Sequence, residues 1–148
     1  MGQAKLYGHA EAPIERVFDY AIDPTRWAEW NVSTVEMKPR APLAKVGDHF
    51  AGKSKFMGQI FEEEGEVTQL ERPNVIAFVA NSPTGGHENW TARLTPAGTG
   101  TDVECVVDYE YATGDIDKGF VDRLVKQMLD QSMDNFKVIV EQEALQPV

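Results

Sequence analysis

Hydrophobic and polar positions alternate with two different periods along this chain, and the change of period marks its elements. Lys5 to Ala10 is a short strand-like segment. After Ala12-Pro13, residues Ile14, Val17, Phe18 and Ala21 recur at helical spacing, with Pro13 at the first-turn position, where its missing N–H costs nothing. Asp23-Pro24 repeats the device. Asp23 is a capping residue and Pro24 a helix opener, so a second short helix is expected to carry Trp27 and Trp30 on one face.

From Val32 the period falls to two. Val35 and Met37 alternate with charged residues, and Pro39–Pro42 reads as a turn. Phe50, Gly52, Ser54 and Phe56 share one parity, opposite His49, Lys53 and Lys55. Met57-Gly58 turns the chain into Gln59–Leu70, where Phe61, Glu63, Gly65 and Val67 share a side. Arg72-Pro73-Asn74 separates this run from Val75–Ala80, and a Ser82–Gly86 loop leads to His87–Thr95, where Trp90, Ala92 and Leu94 agree in parity. Ala97-Gly98-Thr99-Gly100 has hairpin composition. In the last strand Val103, Cys105, Val107, Tyr109 and Tyr111 alternate with acids, broken only by Val106, as expected of an antiparallel sheet with one wet face.

Phe120 to about Ala144 returns to helical spacing, with Asp115 and Asp117 placed to cap it. Val125, Met128, Leu129, Phe136, Ile139 and Val140 form a broad apolar face. Ser132 falls near the centre of that face and Asn135 at its edge, beside Leu124 and Met128. A small polar residue amid an apolar stripe leaves a packing gap or lines a space. Strands and helices do not alternate, so the class is α+β rather than a doubly wound sheet. A length of 148 residues without repeats or low-complexity linkers predicts one domain, 1–148.

Composition narrows the chemistry. Cys105 is the only cysteine, which excludes an internal disulfide and a cysteine-based zinc site. The net charge of −10 disfavours nucleic acid and anionic lipid surfaces. Without a signal-like start or an apolar run near the ~20 residues of a membrane span, a cytoplasmic protein without stable membrane insertion is expected. His9, His49 and His87 lack metal-ligand spacing, and no phosphate or dinucleotide motif is present, so neither metal nor cofactor is expected. Glu63, on the inward parity, is a candidate acid–base group if buried. The alternative is that Glu62–Glu64 form a solvated acidic run, because a one-residue slip exchanges the faces. Tyr109 and Tyr111 are candidate hydrogen-bond donors to a ligand carbonyl.

The order of elements, with "APIERVFDYAIDPTRWAEWN", "GEVTQLERPNVIAF" and "LTPAGTGTDVECVVDYEY" before a long final helix, resembles the START-like (SRPBCC, helix-grip) superfamily. The nearest flavour is its bacterial polyketide cyclase/dehydrase-like branch. The resemblance covers nearly the whole chain. It implies a curved seven-stranded antiparallel sheet wrapped around the C-terminal helix, two short helices after strand 1, and an apolar pocket between sheet and helix. Trp27 and Trp30 would then wedge the second short helix against the strand edges. The expected ligand-binding set is Trp30, Phe50, Ser54, Phe61, Glu63, Phe78, Trp90, Tyr109, Leu124, Met128, Ser132 and Asn135. The expected function is binding of a small hydrophobic molecule such as a lipid, polyketide or aromatic metabolite, by a monomer or homodimer. A cyclase/dehydratase using Glu63 with Tyr109 or Tyr111 is the alternative, and a protein-interaction module the second alternative.

Overall fold

The computed structural model describes residues 2–38 and 42–146. Strand β1 (Gly2–Ala10) is followed by α1 (Ile14–Ala21), a 3-10 turn (Pro24–Arg26) and α2 (Trp27–Trp30). Six strands come next: β2 (Thr34–Lys38), β3 (His49–Phe56), β4 (Gln59–Glu71), β5 (Val75–Ser82), β6 (Gly86–Ala97) and β7 (Gly100–Tyr111). The chain ends in α3 (Lys118–Ala144), whose 27 residues extend about 40 Å. The strands form one antiparallel sheet in the order β1-β7-β6-β5-β4-β3-β2. This is the helix-grip architecture expected of the sequence. Most of the turn read at Pro39–Pro42 lies outside the described residues.

Local chemistry accounts for the element boundaries. The Asp23 carboxylate accepts from the Thr25 N–H (3.1 Å), and Pro24 opens the short helical run. Asp117 caps α3 by accepting from Phe120 N–H (3.0 Å); Asp115 takes no part in the cap. Two β-bulges depart from the strict alternation. In β2 the register shifts between Thr34 and Glu36. Thr34 and Met37 therefore point inward and Val35 stands 41% exposed, which corrects the expectation that Val35 and Met37 share a face. The extra residue exchanges the parity on one side of the bulge. A second shift, between Val67 and Gln69, bends β4 against β5.

Helix α3 approaches the sheet most closely at β1. The inward side chains there are Ala4, Leu6 and Ala10, and at Gly8 even a Cβ would sit 3.1 Å from Met133 Sδ. Small residues let the helix descend onto this edge. Farther across, the sheet face is aromatic. Trp27 stacks on Phe78 (5.1 Å between centroids), Phe78 stacks on Trp90 (5.7 Å), and Phe50 meets both Trp27 and Phe78 edge-on. Gly65 makes room for Phe50: a Cβ at that position would lie 2.3 Å from the Phe50 ring. Trp27 is buried, and its indole N–H donates to the Ala21 carbonyl (2.9 Å), joining α2 to the end of α1. Arg26 secures the far end of α3, where its guanidinium meets Glu143 and Glu29 and lies 4.6 Å from the Tyr20 ring centroid.

Trp27 is therefore the hub of the aromatic stack. Trp27→Ala is expected to lower unfolding stability by about 3–5 kcal/mol, measured by urea titration. A loss below about 1 kcal/mol would mean that the stack is not a supporting feature.

Candidate functional site

Between α3 and the middle of the sheet the packing opens into two adjoining voids, of about 60 and 70 Å³. Each has space for several water molecules. Trp90, Leu129 and Ser132 belong to the walls of both, so they form the partition. The inner void is lined almost entirely by apolar groups, among them Leu6, Trp30, Phe78, Ala92, Met133 and Phe136. The outer void carries the polar chemistry: Asn31, Ser33, Ser54, Glu63, Glu88 and Tyr111 stand beside Phe56, Phe61 and Met128.

The strand register explains this grouping. Gly65 pairs with Ala80 and Ala80 with Glu88, while Glu63 is two residues from Gly65 on the same face. Glu63 and Glu88 thus flank β5 over residues with little side-chain bulk. The Ser54 hydroxyl donates to Glu63 (3.1 Å) from the neighbouring strand. Burial, followed by the nearby charge of Glu88, pushes the Glu63 carboxyl up to about 7, with the Ser54 hydrogen bond opposing. Burial likewise raises Glu88, against the hydrogen bonds it accepts from the Tyr111 hydroxyl and the Trp90 N–H (3.2 Å). Tyr111 is raised in turn, by burial and then by Glu88.

Ser132 is the polar interruption of the α3 stripe. Its hydroxyl donates to the Met128 carbonyl (2.8 Å) and accepts from the Val32 N–H (3.1 Å), so it ties the middle of α3 to the segment after α2. Asn135 makes the neighbouring tie, donating to the Trp30 carbonyl (3.2 Å). Among the described residues, the Trp30 indole N–H is the one buried side-chain polar atom without a hydrogen-bond partner.

The candidate residues read from the sequence divide accordingly. Trp30, Ser54, Phe61, Glu63, Phe78, Trp90, Met128 and Ser132 lie on the walls of the voids. Phe50, Tyr109, Leu124 and Asn135 do not line them. Phe50 is buried behind Trp27 and Phe78. The Tyr109 hydroxyl turns toward the start of α3 and donates to Asp122 (2.6 Å); burial and Asp122 raise it to about 12. Leu124 is half-buried on the flank of α3, and Asn135 is engaged with α2. Glu63 is half-buried and lines the outer void, while Glu62 and Glu64 on either side of it are exposed. Glu88 was missed. Its signal was available, because it shares the parity of Trp90, Ala92 and Leu94, but a strand beginning at His87 leaves its second residue looking like loop. Cys105 is buried in the sheet, and burial pushes its thiol up to about 12, so it is poorly suited to act as a nucleophile. Among the described residues there is no cluster of metal-ligating side chains.

Comparison with known proteins agrees with this architecture. A family described as polyketide cyclase/dehydrase and lipid transport matches residues 8–141. A START superfamily protein from Mycobacterium smegmatis superposes with a TM-score of 0.80 at 16% identity, over 95% of this chain and 98% of that one. A protein from Chromobacterium violaceum gives 0.73 at 21% identity, over 95% and 99%. The Zhui aromatase/cyclase from a Streptomyces species gives 0.72 at 15% identity, over 97% and 93%. At these identities the structural likenesses establish the fold alone, and no curated protein matches the sequence. With its helix-grip fold and a family match over most of its length, the chain belongs to the polyketide cyclase/dehydrase and lipid transport family.

Proposed function

We propose that the protein binds a small, largely apolar molecule between the sheet and α3, with the apolar body in the inner void and a polar end in the outer one. The observation that carries this reading is the divided hollow itself. An apolar space next to a cluster of hydroxyls and carboxylates has the form of a ligand site: mostly greasy walls with a few convergent polar groups. The unpartnered Trp30 N–H beside the inner void adds a donor that a guest's carbonyl or ether oxygen would satisfy. Affinity would come from apolar burial at roughly 25 cal/mol per Å², less the cost of association. Lipids, polyketides and aromatic metabolites fit this chemistry. No helix among the described residues is long and apolar enough to cross a membrane.

The Glu63 environment favours a second reading, proton transfer to a bound polyketide-like substrate. A carboxyl titrating near 7 is balanced between donating and accepting a proton at neutral pH. It shares the outer void with Tyr111, but the Tyr111 hydroxyl donates to Glu88 and the Tyr109 hydroxyl to Asp122, so Glu63 alone carries this reading.

Three measurements test these statements. 2-Naphthol, a neutral aromatic probe, is expected to shift the methyl resonances of Met128 and Met133 in a saturable way. Ala92→Leu, which fills the inner void, is expected to weaken that binding at least about tenfold. Unchanged methyl resonances at millimolar probe would overturn the binding reading. For the second reading, Glu63→Gln is expected to lower turnover of a β-dicarbonyl substrate by about 10²-fold or more; undiminished turnover removes Glu63 from the chemistry. The same substitution tests the titration. The folded protein keeps the Glu63 proton up to about pH 7, whereas the unfolded chain loses it near 4.5. The unfolded state thus binds fewer protons in that window, and stability falls as pH rises through it. Relative to Glu63→Gln, the wild type is expected to lose up to about 3 kcal/mol between pH 4.5 and pH 7.5, read from denaturation midpoints. A flat difference would place Glu63 in water.

A further inference from the structure

We propose that the outer void recognises a protonated amine, so that the guest of the hollow is an amphiphilic cation: an apolar or aromatic body carrying one ammonium group. This rests on the ligand-binding reading and specifies its substrate class. The first observation is a missing counter-ion. Glu63 and Glu88 face the same cavity from β4 and β6, yet neither forms an ion pair with a lysine, arginine or histidine among the described residues. Where acids among the described residues do pair with a lysine or arginine, as Asp19, Glu29, Asp122, Asp130 and Glu143 do, the pairs lie at the surface. Buried charge is ordinarily paired, and leaving one half unpaired is costly. Glu88 accepts hydrogen bonds from Tyr111 and Trp90, which favour its ionised form but do not outweigh burial, so a cation is the partner it lacks. The cavity therefore presents one half of an ion pair.

The second observation concerns the walls. Phe56, Phe61, Trp90 and Tyr111 line the same void as the two carboxylates. Aromatic faces around an acidic group favour ammonium over neutral or anionic groups, since the ring quadrupole and the carboxylate act in the same direction. Ser54, donating to Glu63 from β3, holds that carboxyl in place. Lys55 also borders the void and His87 lies near Glu88, but neither forms an ion pair with Glu63 or Glu88, so the two carboxyl groups have no cation partner in the cavity. The Trp90 partition and the apolar inner void behind it set the shape of the guest: the ammonium stays with the acids and its hydrocarbon part extends inward.

The test compares 2-phenylethylamine with its neutral isostere 2-phenylethanol and with the anion 3-phenylpropionate, by calorimetric titration at pH 7. The amine is expected to bind at least about tenfold more tightly than the alcohol, and the anion more weakly than both. In Glu88→Gln, which keeps the shape and an acceptor oxygen, the amine-to-alcohol ratio is expected to fall toward one. Glu63→Gln, carrying the substitution on another strand, provides the same comparison should the Glu88 variant fail to fold. An alcohol that binds as tightly as the amine overturns the amine assignment and leaves the hydrophobic-ligand reading standing. A ratio unchanged in both variants likewise overturns it. If neither compound binds while 2-naphthol does, the amine assignment again falls alone. If none of the three binds, the ligand-binding reading falls with it.

Discussion

Everything about this molecule depends on how far α3 stands from the sheet, and that spacing differs across its width. At β1 the small residues Ala4, Gly8 and Ala10 let the helix settle directly onto the strand. Toward β4 and β6 the rings of Trp27, Phe50, Phe78 and Trp90 prop one another up, and the helix cannot follow the sheet as it curves away. A helix is nearly straight and a seven-stranded antiparallel sheet is not. Contact at one edge therefore leaves space at the other. The hollow follows from curvature combined with the distribution of side-chain size, and it needs no residue dedicated to holding it open.

The electrostatics of the hollow follow from the same arrangement. Strands place side chains of equal parity on one face, so acids at Glu63 and Glu88 share a space once their strands flank β5. Gly65 and Ala80, small at the neighbouring positions, leave that space unfilled. Removing water raises both carboxyls, and the charge of Glu88 makes ionisation of Glu63 harder still. Most of the remaining charge lies outside, where acids and bases pair in water and contribute little each. A strongly acidic exterior and a single acidic interior are thus separate features with separate consequences.

Much of this was legible in the residues. Period-two alternation located the strands, and Asp23-Pro24 and Asp117 marked helix starts that the structure realises with capping bonds. Ser132 stood out as a polar break in the α3 stripe and lies on the partition between the voids. What could not be read were features that depend on three dimensions. The bulges at Val35 and Thr68 leave no reliable trace in one sequence, so the facing of Val35 was misread. Tyr109 and Tyr111 have the same parity but different fates. One lies under the first turns of α3 and the other beside Glu88, a difference set by where the helix crosses. Leu124 and Asn135 lie on the correct side of α3 by angle, yet only the helix's tilt decides which of its turns face empty space.

The pair of hydrogen bonds from α3 to the segment after α2 has a mechanical meaning. Ser132 holds the Val32 N–H and Asn135 holds the Trp30 carbonyl, one turn apart, beside the wall of the hollow. Widening the hollow by lifting the helix would stretch both tethers at once. Any change in the width of the hollow that moves this part of α3 therefore also has to unfasten a short stretch of backbone.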